Sequence, residues 1–160
     1  MEIIEYNNRF KEDVKDLLVE LQEYVVSIDK FNLNIVSEKY RDGYFDSVYE
    51  DIINGNGKIF LCIDNDKAIG MVAGHIRSYN KTDKLDYKCP MMGVVEELIV
   101  SKSVRQSGVG GKLLATMENY FNNKKCEYIM LDVFAYNDIA RQFYINKKYE
   151  ERMITLIKKI

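Results

Sequence analysis

From Phe10 to Ile28 the apolar positions are Phe10, Val14, Leu17, Leu18, Leu21, Val25 and Ile28. That spacing lines one face of an α-helix. Asp29 to Leu33 breaks the pattern. Ser37 to Ile53 predicts a second helix, with Gly43 a point of interruption and Gly55-Asn56-Gly57 closing it. Ile3, Ile4 and Tyr6 predict a short strand ahead of both. Lys58 to Ile63 and Ala68 to Arg77 are strand-like runs joined by Asp64-Asn65-Asp66-Lys67, which predicts a β-hairpin. Ser78 to Pro90 is polar and reads as a loop. Its proline argues against a central strand beginning earlier.

Val94 to Val100 predicts the next strand. Gly108 to Phe121 carries Val109, Leu113, Met117, Tyr120 and Phe121 at the spacing of a buried helix face. Tyr128 to Phe134 predicts a strand. Asn137 supplies an N-cap for a helix with Ile139, Ala140, Phe143 and Tyr144. Tyr149 to Ile157 predicts a terminal strand. The order β-α-α-β-β-β-α-β-α-β describes an α/β chain with a mixed sheet and helices on its faces.

The chain has 160 residues and a net charge of −2, with 30% charged residues. This length suits one domain, residues 1 to 160, with a real core. The charge balance lacks the basic face of a nucleic-acid binder. No apolar run approaches the roughly 20 residues that span a bilayer, and the N-terminus lacks a signal-peptide pattern. The expectation is a soluble, cytoplasmic protein. Cys62, Cys89 and Cys126 form neither a metal pair nor a disulfide framework. His75 is the only histidine. It lies in an apolar strand with no nucleophile motif beside it, so it reads as structural or substrate-facing.

The chemistry concentrates in Arg105-Gln106-Ser107-Gly108-Val109-Gly110-Gly111-Lys112, between a predicted strand and a predicted helix. Glycine lets backbone approach a ligand closely. First-turn helix amides have no partner within the helix, and the helix dipole favours an anion there. The segment therefore reads as a phosphate grip. A P-loop is excluded because Ile59 follows Gly57-Lys58 where a hydroxyl residue is required. A dinucleotide fingerprint is excluded because Leu113 holds the third glycine place and the turn lies late in the chain.

Arg105-x-x-Gly108-x-Gly110 after Leu98-Ile99-Val100 resembles the acetyl-coenzyme A motif of the GNAT superfamily of N-acetyltransferases. Leu131-Asp132-Val133 followed by Asn137, Ala140, Phe143 and Tyr144 resembles that family's next conserved block. Two departures stand out. Gln106 occupies a place that is often glycine, and Lys148-Tyr149 replaces a usual glycine-phenylalanine pair. The resemblance implies a twisted sheet of about six to seven strands flanked by about four helices. It implies acetyl-CoA as co-substrate, with no metal, and an amine acceptor.

On this reading the amides from Gln106 to Gly111 hold the pyrophosphate, with Arg105 adding charge or bracing the turn and Lys112 following in the helix. The resemblance implies that the pantetheine arm lies along Leu98, Ile99 and Val100. The Val100 amide would polarise the thioester carbonyl. Asn137 would bond the pantetheine or cap its helix. The resemblance makes Tyr144 the acid for the leaving thiolate. An acceptor amine is mostly ammonium at neutral pH, so it needs a base. Glu96 and Glu97 lie in an apolar strand, where carboxylates are costly unless paired or wet. Alternation sends them to opposite faces. The resemblance to polyamine-type acetyltransferases favours Glu96.

The resemblance implies that the region from Phe31 to Tyr49 and the loop from Ser78 to Pro90 wall the acceptor side, where Asp29, Asp42, Asp46, Asp83 and Asp86 with several tyrosines suit a cationic amine. Small amines, polyamines, aminoglycosides, amino acids and protein amines all stay open. So do a homodimer, another acyl donor, and a non-catalytic acyl-CoA sensor of the same fold.

Overall fold

A computed structural model describes residues 1–160. Its elements are β1 (Glu2–Glu5), α1 (Lys11–Ile28), α2 (Tyr40–Asn54), β2 (Lys58–Asp64), β3 (Lys67–Ile76), the one-turn α3 (Asp83–Asp86), β4 (Met92–Val100), α4 (Val109–Asn123), β5 (Tyr128–Leu131) and α5 (Asp138–Asn146). The five strands form one sheet in chain order. The first four are antiparallel, and β5 joins β4 in parallel.

The helix patterns are realised as the sequence predicts. Gly43 does not interrupt α2, which runs unbroken through it. Phe10 just ahead of α1 and Val14, Leu17 and Leu18 within it, with Phe45 and Ile52 of α2, pack on one sheet face against Leu61, Met71, Ala73 and Ile99. On the other face α4 buries Val109, Leu113, Leu114, Met117 and Phe121 against Cys62, Val72 and Val95. Each buried Val, Leu, Ile, Met or Phe among them contributes about 1.5–3 kcal/mol. Phe121 lies so close over Gly93 that a β-carbon there would sit 2.4 Å from its ring.

The sheet has five strands, fewer than the expected six or seven. The predicted strand from Tyr149 to Ile157 does not form. Beyond Tyr149 the backbone donates no hydrogen bond to another strand, and Met153, Ile154, Leu156 and Ile157 stay exposed. Strand preference becomes a strand only where a neighbouring edge pairs with it. Tyr128 to Leu131 is also shorter than the predicted strand. The chain leaves the sheet at Asp132 to reach the Asn137 cap.

Candidate active site

A register break in β4 builds the site. Glu97 pairs with Ala73 and Val95 pairs with Gly74, so Glu96 is an extra residue with no partner in β3. This is a β-bulge, which bends a strand and re-aims side chains. The partnership with β5 covers only Met92 to Val95. Past the bulge, β4 and β5 part and leave one edge of β4 open. The Ser101 amide donates to the Ile69 carbonyl at 2.9 Å. Alternation then turns the Val100 amide to the open side. Leu98 shares that orientation. Ile99 turns its backbone to Met71 and buries its side chain in the core.

The open edge leads into the turn before α4. Gly108 is the N-cap, with φ of +83° in the left-handed region. Gln106 is left-handed too, with φ of 65°. The Ser107 hydroxyl donates to the Val104 carbonyl at 2.6 Å. Arg105 braces the turn: its Nε donates to the Val100 carbonyl at 3.1 Å and its Nη2 to Glu20 at 3.3 Å. Glu20 also accepts from the Lys102 amide at 2.7 Å. None of the amides from Gln106 to Gly111 donates to a carbonyl or side chain, and the first bond of this stretch runs from the Lys112 amide to the Gly108 carbonyl. Free amides at a helix N-terminus, with the helix dipole behind them, favour an anion. Lys147 adds positive charge, its Nζ lying 3.5 Å from where a Gly111 β-carbon would stand.

Asn137 caps α5, its Oδ1 accepting from the Ala140 amide at 3.1 Å. The same oxygen accepts from the Tyr24 hydroxyl at 3.2 Å. That ties α5 to α1, whose Tyr24 ring centroid lies 5.4 Å from the Arg105 guanidinium carbon. The Tyr144 ring packs against Phe143 and Tyr149, with centroids 5.2 Å and 5.7 Å away. Burial first, and then the charge of Glu97, push the Tyr144 hydroxyl up to about 12.

Glu96 and Glu97 do not point to opposite faces, as alternation predicts. Glu97 is buried and accepts a hydrogen bond from Tyr44 of α2. Glu96 shares a cavity of about 270 Å³ with Asp51 and Asn54 of α2, together with Gly55, His75 and Ser78. The bulge turns both carboxylates toward α2. Burial pushes Glu97 up to about 7; the Tyr44 bond pulls it down and neighbouring Glu96 pushes it up. His75 Nδ1 lies 3.4 Å from Glu96 Oε1 without a hydrogen-bonding alignment.

The acidic residues singled out for the acceptor side are mostly spent elsewhere. Asp29 is buried and accepts from the Phe31, Leu33 and Asn34 amides. Asp42 pairs with Lys15 at 2.6 Å, and Asp83 accepts from the Asn80 amide at 2.8 Å.

Residues 21–147 match the acetyltransferase (GNAT) family. The chain belongs to the GNAT family. An uncharacterized N-acetyltransferase of Methanocaldococcus jannaschii is 43% identical over 63 residues, which cover 39% of this chain and 40% of the relative's length. A mutant form of a Bacillus halodurans protein has the same fold, with a TM-score of 0.84 at 18% identity, covering 100% of this chain and 99% of that one. An aminoglycoside N-acetyltransferase solved in complex with CoA gives a TM-score of 0.67 at 20% identity, covering 99% and 100% of the two chains. A GNAT-family acetyltransferase from Staphylococcus aureus gives 0.67 at 21% identity, covering 91% and 82%.

Within this GNAT fold, sequence reading missed Tyr44, Asp51, Glu20 and Lys147. Tyr40 and Tyr44 do share one helix face at a spacing of four. Nothing in that spacing names Glu97 as their neighbour.

Proposed function

We propose that this GNAT protein transfers the acetyl group of acetyl-CoA to a primary amine by direct attack. The observation that carries the reading is the row of unpaired amides from Gln106 to Gly111, continuous with the open edge of β4 that ends at Glu97. Acetyl-CoA, when bound, supplies an activated acetyl thioester. The Gln106-to-Gly111 amides and Lys147 fit its diphosphate. The backbone of Leu98 and Val100 fits the amides of its pantetheine arm, as an added strand would. The Val100 N–H is the donor for the acyl oxygen.

Glu97 is the base. Its carboxylate sits near neutrality, where a group can both hold and release a proton at physiological pH. It takes a proton from the acceptor's ammonium and frees the nitrogen lone pair. Glu96 and Asp51 give the adjoining cavity negative charge suited to a small cationic amine. Tyr144 stays protonated and holds at its Oη the proton that a departing thiolate needs. A module that only sensed acyl-CoA would need neither the poised Glu97 nor the protonated Tyr144.

Thiol release from acetyl-CoA over a panel of mono- and polycationic amines tests the proposal. The expected result is amine-dependent release with an acetylated product. Coenzyme A binding without release for any amine would contradict transfer and leave the sensor.

A further inference from the structure

Glu97 is 8% exposed. One of its oxygens, Oε1, accepts from the Tyr44 hydroxyl. The other, Oε2, has no protein donor, yet it is not sealed in the way His75 Nδ1 is. Tyr44 itself is held by Tyr40, whose ring stacks on it with centroids 4.7 Å apart and planes 13° from parallel. The two tyrosines stand one helical turn apart on α2, so the stack is built into the helix.

We propose that Tyr44 is a positioning residue for acetyl transfer: it fixes the Glu97 carboxylate through Oε1 and leaves Oε2 to accept the proton of the incoming amine. This rests on the N-acetyltransferase reading above. One N–H bond of the ammonium breaks, one O–H bond forms at Oε2, and the freed lone pair attacks. Tyr44 keeps its own proton throughout. Burial, then the charge of Glu97, hold its hydroxyl far above the ordinary tyrosine range.

The groups that bear on Glu97 are Tyr44 and Tyr40 from α2, Glu96 from β4 and Tyr144 from α5. Among them only the Tyr44 bond favours the ionised carboxylate. Without that bond Glu97 holds its proton to higher pH and is a base over a narrower range.

Tyr44→Phe keeps the ring and the stack and removes the donor. The acid-side midpoint of its kcat/KM profile should move up by about one unit. Activity should fall about tenfold below that midpoint and recover in alkali. The carboxyl-carbon NMR signal of Glu97 in the free protein should titrate with the same upward shift, a readout independent of turnover. Coenzyme A affinity and the melting temperature check that the fold persists. An unmoved midpoint in both readouts, or an equal loss at every pH, would overturn the role of Tyr44. If Glu97→Gln instead retained full turnover, the base assignment itself would fail. An inactive Glu97→Gln beside an unshifted Tyr44→Phe would overturn the tyrosine alone.

Discussion

Glu96 and Glu97 are neighbours in β4, and both face α2. The bulge at Glu96 suspends alternation for one residue. It leaves one carboxylate lining a polar cavity and the other buried against Tyr44. The two differ in solvent, and that difference separates their chemistry.

The buried one links stability to pH. Glu97 holds its proton up to about pH 7 in the folded chain, against about 4.3 for an ordinary glutamate. Folding therefore takes up a proton between those values. The resulting stability is fully present below the lower value and is lost as pH rises through about 7. Glu97→Gln cannot lose it. Its stability relative to the natural chain should grow from acid to mild alkali, by at most roughly 4 kcal/mol. Urea unfolding on both sides of neutrality measures this. A difference independent of pH would mean that Glu97 ionises in the folded protein as in the unfolded one.

The two carboxylates should separate kinetically. Glu97→Gln is expected to lower kcat by about a hundredfold or more, the usual scale of a lost general base. Glu96→Gln should chiefly raise KM for cationic amines, with the difference shrinking in high salt. Steady-state kinetics at two ionic strengths checks both, and a kcat loss confined to Glu96→Gln would exchange their roles.

Tyr144 stays protonated far beyond neutral pH. Tyr144→Phe preserves its packing with Phe143 and Tyr149. Turnover should drop by about a hundredfold, while calorimetry shows coenzyme A affinity nearly unchanged. Equal turnover across pH would remove the acid role.

Two family glycine places carry other residues, and both are left-handed: Gln106 with φ of 65° and Lys148 with φ of 70°. Lys148 lies just past the Lys147 cap of α5, with the Tyr149 amide reaching back to the Tyr144 carbonyl at 3.1 Å. A left-handed L-residue costs roughly 1–2 kcal/mol, partly offset by the greater chain entropy glycine loses on folding. Lys148→Gly should stabilise the chain by up to about 1 kcal/mol and raise the melting point by about 2–4 °C. Scanning calorimetry would show it. A lower melting point would mean that the lysine side chain contributes more than its backbone costs.

The hairpin, α1 and α4 were legible because their apolar spacing is local and regular. The turn after β4 was legible because glycine and arginine at fixed offsets point to one kind of anion site. The bulge was not. It is a register between β3 and β4, and the residues around Glu96 look like any alternating strand. The same limit hid Tyr44, whose neighbour is 53 residues away in sequence. Tyr149 to Ile157 erred in the other direction: strand-forming residues there pair with no edge of the sheet. Asp29 has the right charge for a cationic acceptor, yet its oxygens are taken by loop amides.

Coenzyme A binding by calorimetry, with the natural chain and Gly110→Asp side by side, tests the proposed anion cradle most directly. A β-carbon at Gly110 would meet Val100 and Phe143 at 3.5 Å and 3.9 Å, ordinary contact distances, so the substitution spares the fold. It sets a negative charge among amides that await one. The prediction is binding to the natural chain and at least about tenfold weaker binding to Gly110→Asp, with the melting temperature kept. Undiminished affinity in the variant would contradict the assignment of the Gln106-to-Gly111 turn.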